Sequence, residues 1–175
     1  MEPVDLCPVT TLLTKGGVLY GVPGNDKTSV LMATVERLCL PEGVSRDRVI
    51  EEILRREEIA STGIGQGIAL PHPQSATALQ MPESVLTLAF LQNPVDFGAP
   101  DEIPVRALFL ILSRDTGQHL RLLAHLGRTL QQAETIDALA RQLPAEEILA
   151  VFGRVETALH DRYAAMACKS GLAAR

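Results

Sequence analysis

Two histidines, one arginine and a run of alternating glycines are the residues of this chain best suited to chemistry. His72 comes directly after the loop Gly63-Ile64-Gly65-Gln66-Gly67 and the short stretch Ile68-Ala69-Leu70-Pro71, and His119 opens an amphipathic stretch further on. A neutral imidazole keeps a lone pair on one ring nitrogen and titrates near neutrality, so it can serve as base, nucleophile or metal ligand. Glycines let backbone approach backbone in a tight turn, and a run of free N–H groups can also cradle an anion. Arg56 adds a charge that never titrates in the working range. All three side chains fall near the ends of expected elements, where the sites of α/β proteins gather. One pocket holding His72, His119 and Arg56 is one reading of that placement. Surface histidines beside a structural turn are the other.

Several chemistries fail on spacing. The dinucleotide fingerprint needs a strand before the glycines, a helix after them and the order GxGxxG. Here a helix precedes, a strand follows and the order is GxGxG. No Lys-Ser/Thr pair follows, which removes the phosphate-binding P-loop, and no GxSxG elbow exists for a serine hydrolase. Zinc helices place histidines at i and i+4 or close to it. His119 and His125 are six apart and face different sides, so no metal site is expected, and His125 and His160 read as ordinary helix-surface residues.

The elements that must hold these residues are legible as periodicity. Gly16 to Gly24 reads as a short extended piece ending in a turn. Asn25 or Asp26 caps a helix through about Leu38, with Leu31, Val35 and Leu38 on one face. Pro41-Glu42-Gly43 breaks it, and Ser45 caps a second helix that ends near Ile59 or Ala60, with Val49, Ile50, Ile53 and Leu54 as its apolar stripe. Ser61 to Gly67 reads as a polar glycine-rich segment, and Ile68-Ala69-Leu70 as a short strand stopped by Pro71. Val85 to Leu91, ended by Asn93-Pro94, and Val105 to Leu112 are continuous apolar runs, as strands buried on both faces require. Helical patterns follow over about 118–132, 134–142 and 144–159. The expected fold is α/β: a mixed β-sheet flanked by helices on both faces in a single-domain sandwich. Residues 1–10 form a lead-in, 11–160 the domain, and 161–175 a frayed tail.

Composition bounds the function class. The chain has 175 residues, 46% of them hydrophobic, which suits one domain with a single good core. Its net charge is -5 and only 3% of its residues are aromatic, so the basic patches and stacking rings of a nucleic-acid binder are scarce. Cys7, Cys39 and Cys168 are too few and too scattered for a disulfide framework. The acidic start lacks the blocks of a signal peptide, and the longest purely apolar run, Ala107 to Leu112, is far short of the roughly 18 residues a membrane span needs. A cytoplasmic location without membrane insertion is expected.

Arg56-Glu57-Glu58-Ile59-Ala60-Ser61-Thr62-Gly63-Ile64-Gly65-Gln66-Gly67-Ile68-Ala69-Leu70-Pro71-His72 closely resembles the active-site signature of type 2 enzyme IIA domains. These belong to the bacterial phosphoenolpyruvate-dependent phosphotransferase system, in its fructose, mannitol and nitrogen-regulatory branch. The resemblance extends to Asn93-Pro94-Val95-Asp96-Phe97 and to His119-Leu120 with Leu122-Leu123, over roughly residues 10 to 160. Pro73 departs from the small Gly or Ala that many members carry after the histidine. The resemblance implies that His72 is the phosphoryl acceptor, with His119 stabilising the phosphate, Arg56 supplying charge, and Thr62, Gly63, Gly65 and Gly67 forming a phosphate-binding loop. It implies a histidine-containing phosphocarrier protein as donor, and a IIB domain or regulatory target proteins as further partners, with no cofactor. The Gly16-Gly17-Val18-Leu19-Tyr20 opening looks more like the nitrogen-regulatory relatives than the transport ones. A fructose- or mannitol-type transport component is the alternative.

Overall fold

The computed structural model describes residues 9–169. Its centre is the pair of apolar runs, β4 (Val85–Val95) and β5 (Val105–Leu112), which pair antiparallel. Side chains alternate along each strand, so both faces need a cover. Leu86, Leu88 and Phe90 of β4 join Ala107, Phe109 and Ile111 of β5 in one cluster. Ala89 and Leu91 join Leu108, Leu110 and Leu112 in another on the opposite face. The second cluster is closed by α2 (Lys27–Glu36) and α3 (Arg46–Ile59) through Val30, Leu31, Val35, Val49 and Ile53. The first is closed by α1 (Val9–Gly16), α4 (Thr116–Thr129), α5 (Ala133–Ala140) and α6 (Ala145–Lys169).

The remaining strands are short: β1 (Val18–Val22), β2 (Gly63–Gly65) and β3 (Ile68–Ala69). The five-stranded sheet runs β1-β4-β5-β3-β2, with β1 parallel to β4, β3 parallel to β5, and β2 antiparallel to β3. The sheet is mixed and covered by helices on both faces, as expected.

The helix starts obey local rules. Asp26 and Ser29 form a reciprocal capping box on α2, and Ser45 accepts the Arg48 N–H at the start of α3. Asp115 caps α4 by accepting the Gln118 N–H at 2.8 Å, so this helix begins two residues before the Gln118 start that its apolar pattern gives.

Several features differ from expectation, beginning with α1 and the residues around its cap. The lead-in gives way at Val9 to α1, whose Val9, Leu12 and Leu13 are buried. Its first turn is capped from α6: buried Glu156 accepts the Val9 N–H at 2.5 Å, the Thr10 N–H at 3.3 Å and the Thr10 hydroxyl. His125 is no ordinary surface residue, because its side chain is only 12% exposed and its Nε2 lies 2.9 Å from Glu156 Oε1, off the line of the ring N–H. Second, β4 does not stop at Asn93-Pro94. Its pairing with β1 ends at Leu91 and its register against β5 shifts between Phe90 and Val95, so nothing asks Pro94 for the N–H it lacks. Third, residues 63–65 within the glycine-rich segment form a strand. Fourth, α6 is helical to Lys169, ten residues past its predicted end at 159, through an alanine-rich segment of high helix propensity where a frayed tail was expected.

At the end of α1, Gly16 meets β4 so closely that a Cβ there would lie 2.1 Å from the Leu86 carbonyl oxygen. The Cys39 thiol is exposed and free, and Cys7 lies outside the described residues. Among the described residues no helix is long and apolar enough to cross a membrane.

Candidate phosphotransfer site

His72 stands just past β3, and the backbone on both sides of it is tied down. The Leu70 N–H donates to the Thr62 carbonyl at 2.9 Å, and the Pro71 carbonyl accepts the Ile111 N–H at 2.9 Å. The segment therefore stays wedged between β2 and β5 until the histidine emerges at the C-terminal ends of β3 and β5. His72 Nδ1 lies 2.7 Å from the Leu70 carbonyl oxygen. A carbonyl only accepts, so Nδ1 carries the proton and Nε2 keeps the lone pair. Burial lowers the His72 pKa below its ordinary value, the Leu70 hydrogen bond works against that shift, Arg56 adds to it and Glu57 opposes it. The ring is neutral at pH 7, and a free imidazole nitrogen of this kind can act as a nucleophile.

His119 is brought to the same place by β5 and the first turn of α4. Its ring centroid lies 5.0 Å from that of His72, with the planes tilted by 51°. Its Nδ1 lies 3.2 Å from Oγ of Ser113, which is buried and follows β5 directly. No other partner is recorded for that hydroxyl among the described residues, and a buried donor left unpaired costs about 1–3 kcal/mol. We therefore assign the Ser113 O–H as donor to Nδ1, which leaves the proton of neutral His119 on Nε2. The two rings then present complementary groups, a lone pair on His72 and an N–H donor on His119. Burial lowers the His119 pKa, and the neighbouring His72 and Arg56 lower it further.

The start of α4 is latched to β4 as well. Buried Ser84 donates to Gln118 Oε1 at 2.7 Å and accepts the Arg114 N–H at 3.1 Å. Arg56, in the last turn of α3, donates to the Ala60 carbonyl at 2.7 Å, which ties its guanidinium to the helix end. Its charge acts on both histidines.

The glycine loop does not join them as expected. Gly67 accepts the N–H groups of Arg106 and Ala107 at the start of β5, at 2.7 and 3.1 Å, whereas the histidine end of this segment is anchored at Ile111. Arg106 and Ile111 are five residues apart, about 16 Å along a strand. Gly65 and Gly67 therefore sit at the hairpin tip, far from His72, where Gly65 pairs with Ile68 and the turn residue Gln66 gives its N–H to Asp101. Gly63 lies nearer, paired with Ala69, but its N–H goes to Ser61 Oγ at 3.0 Å. Thr62 is also near, and its N–H and hydroxyl both go to the carboxylate of Glu57. The glycines serve as the tight turn that was the alternative reading, and no phosphate cradle forms from these donors.

Sequence reasoning missed Ser113 and Glu57. Nothing in local spacing singles out Ser113. Glu57 had a signal: it falls at i+4 from Ile53 and i+8 from Val49, on the apolar stripe of α3. Among the described residues no group of three or more His, Cys, Asp or Glu is placed to hold a metal ion.

Residues 11–154 match the family described as "Phosphoenolpyruvate-dependent sugar phosphotransferase system, EIIA 2". A nitrogen regulatory protein of Pseudomonas aeruginosa is 38% identical over 142 residues, covering 79% of this chain and 89% of its own length. A mannitol-specific phosphotransferase enzyme IIA component of Staphylococcus aureus is 28% identical over 144 residues, covering 82% and 96%. The crystal structure of the nitrogen regulatory protein IIA-Ntr of Neisseria meningitidis superposes with a TM-score of 0.66 at 31% identity, covering 77% of this chain and 91% of that one.

Proposed function

The chain belongs to the type 2 enzyme IIA family of the phosphoenolpyruvate-dependent sugar phosphotransferase system, and from that premise we propose that it carries a phosphoryl group on Nε2 of His72 as a regulatory phosphocarrier. The family is one of phosphotransferases whose IIA domains pair with IIB domains. The observation that carries the proposal is the His72 ring, held through Nδ1 on the Leu70 carbonyl with its other nitrogen left free.

The step balances without a cofactor. The Nε2 lone pair attacks phosphorus on the histidine-containing phosphocarrier protein. A new N–P bond forms as the carrier's N–P bond breaks, and the carrier's imidazole leaves with the electron pair. No proton need leave Nε2, and Nδ1–H keeps its bond to Leu70 throughout. Such a transfer asks little of the protein beyond alignment and stabilisation of charge on the equatorial oxygens. The Nε2–H of His119 and the charge of Arg56 supply that stabilisation.

The relatives favour regulation over transport. Nitrogen regulatory proteins match at 38% and 29% identity over 142 and 147 residues, against 28% over 144 residues for the mannitol component and 36% over only 98 residues for a fructose-specific EIIA component. Leu120 and Ile59, near the site in sequence and both 62% exposed, give a surface suited to partners in either role, whose fit a phosphoryl dianion on His72 would change. The protein works in the cytoplasm, where the phosphocarrier resides.

Incubation with phosphoenolpyruvate, enzyme I and the phosphocarrier will give an acid-labile, base-stable phosphoprotein, and His72→Gln will abolish the label while leaving the fold intact. Label retained in that variant removes the proposal. Pull-down from the native host with His72→Gln and His72→Asp separates the two roles. A non-transport partner captured by one variant and not the other supports regulation, whereas the phosphocarrier and a sugar-specific IIB protein recovered equally with both marks a transport component.

A further inference from the structure

We propose that Glu57 is a positioning residue for the nucleophile, fixing the direction of the His72 ring through Thr62 and Leu70; the inference rests on His72 being the phosphoryl acceptor. Glu57 sits in the last turn of α3 and is only 7% exposed. Its carboxylate accepts the Thr62 N–H with both oxygens, at 3.2 and 3.1 Å, and the Thr62 hydroxyl at 2.6 Å. The Thr62 carbonyl accepts the Leu70 N–H at 2.9 Å, and the Leu70 carbonyl accepts Nδ1–H of His72 at 2.7 Å. A single line of hydrogen bonds thus runs from the carboxylate to the ring.

The other end of that line is anchored too. Lys27, the first residue of α2, places Nζ 3.6 Å from Glu57 Oε1 and 3.4 Å from the Phe97 carbonyl oxygen. Ser61 donates to the same Phe97 carbonyl at 2.5 Å. The strut therefore joins α2, α3, the chain after β4 and the start of β2, and all of these converge on the residue that hydrogen-bonds Leu70.

A buried carboxylate is a poor way to gain stability, because removing it from water costs what its partners return. What such a group does supply is one defined arrangement of donors around it. Phosphoryl transfer is sensitive to that kind of precision, since a reacting atom displaced by about 1 Å can cost a hundredfold in rate. The Leu70 carbonyl sets both the tautomer of His72 and the direction of its ring, so whatever holds Leu70 holds the line of attack.

The test uses the full chain with Thr62→Val, Thr62→Ser and Glu57→Gln, read by rate of phosphorylation from the phosphocarrier, by 31P NMR for the nitrogen that carries phosphorus, and by 15N NMR for the His72 tautomer. Wild type is expected to show Nδ1–H before transfer and phosphorus on Nε2 alone. Thr62→Val, which removes the hydroxyl at nearly constant shape, is expected to slow transfer about ten- to a hundredfold, to mix the tautomers and to place part of the label on Nδ1. Thr62→Ser keeps the hydroxyl and is expected to restore rate and regiochemistry together. Glu57→Gln removes a charge that raises the His72 pKa, so its imidazole titrates lower than in wild type. Its imidazole is then protonated less at pH 7 than in wild type, so a slower rate there cannot come from added protonation of the ring. Folded Thr62→Val transferring at the wild-type rate with a single tautomer overturns the inference. So does a Thr62→Ser variant as slow as Thr62→Val, which would mean packing alone. Should Glu57→Gln fail to fold, the threonine pair still decides. No label on wild-type protein instead removes the reading of His72 on which the inference stands.

Discussion

His119→Ala separates the two histidines, whose rings lie only 5.0 Å apart. If His72 takes the phosphoryl group and His119 only donates a hydrogen bond to it, the variant loses one neutral-to-charged hydrogen bond and nothing covalent. Such a bond contributes about 1.5–3 kcal/mol, which converts to roughly a ten- to hundredfold slower transfer. The protein remains phosphorylated on His72, with phosphorus on Nε2, because the Leu70 anchor is untouched. A structural effect accompanies the kinetic one. The buried Ser113 hydroxyl loses its partner at His119 Nδ1, at a cost of about 1–3 kcal/mol in unfolding free energy. The double variant Ser113→Ala, His119→Ala removes both groups and recovers most of that stability without recovering rate. The assay is the initial rate of label transfer from the phosphorylated phosphocarrier, beside urea denaturation of each variant. A folded His119→Ala that takes no label at all refutes the argument, since His119 would then be indispensable. Transfer at the wild-type rate refutes it equally, because no hydrogen bond to the phosphoryl group would have been lost.

Acidification slows phosphorylation of His72 as its ring protonates. Because burial lowers the folded pKa of both His72 and His119, the midpoint lies below the ordinary histidine value of about 6.5. The same depression means that the unfolded chain binds more protons between the two values, so the stability present above pH 6.5 is lost as pH falls through the folded pKa, which chemical denaturation at a series of pH values will register. For Glu156, burial pushes the carboxyl up, but His125 and the Thr10 hydroxyl and N–H outweigh it and hold the pKa low. Glu156→Ala removes the cap of α1 and costs about 2 kcal/mol at pH 7 in urea unfolding, a difference that shrinks as pH falls through the folded carboxyl pKa and the wild-type group is itself protonated.

What the sequence made legible follows the range of the interactions involved. The central strands β4 and β5 and the caps at Asp26 and Ser45 rest on neighbours within a few residues, and local pattern exposes such contacts. Helix α1 escaped because the group that caps it is Glu156, 147 residues away from Val9. The extension of β4 through Pro94 escaped because it depends on where the neighbouring strand stops pairing. The site divides along the same line. His72 and Arg56 stand out by residue type, whereas the partnership of His119 with Ser113 exists only once β5 and α4 have folded back on each other. The glycine loop misled for a definite reason: free N–H groups are a property of an isolated loop, and here those of Gly63 and Gln66 go to Ser61 and Asp101 while Gly65 lies in the β-pairing. Thr62 misled in the same way, since a hydroxyl beside glycines looks available until its acceptor is known. That acceptor was nevertheless marked. An acidic residue at the inward position of an amphipathic helix must find donors or give up its charge, and Glu57 on the stripe of Val49 and Ile53 implies buried donors close to the end of α3. The nearest candidates are the N–H groups and hydroxyls of residues 60–63, the segment that leads to His72. A misplaced charge in a periodic pattern therefore points to where the backbone around His72 is held.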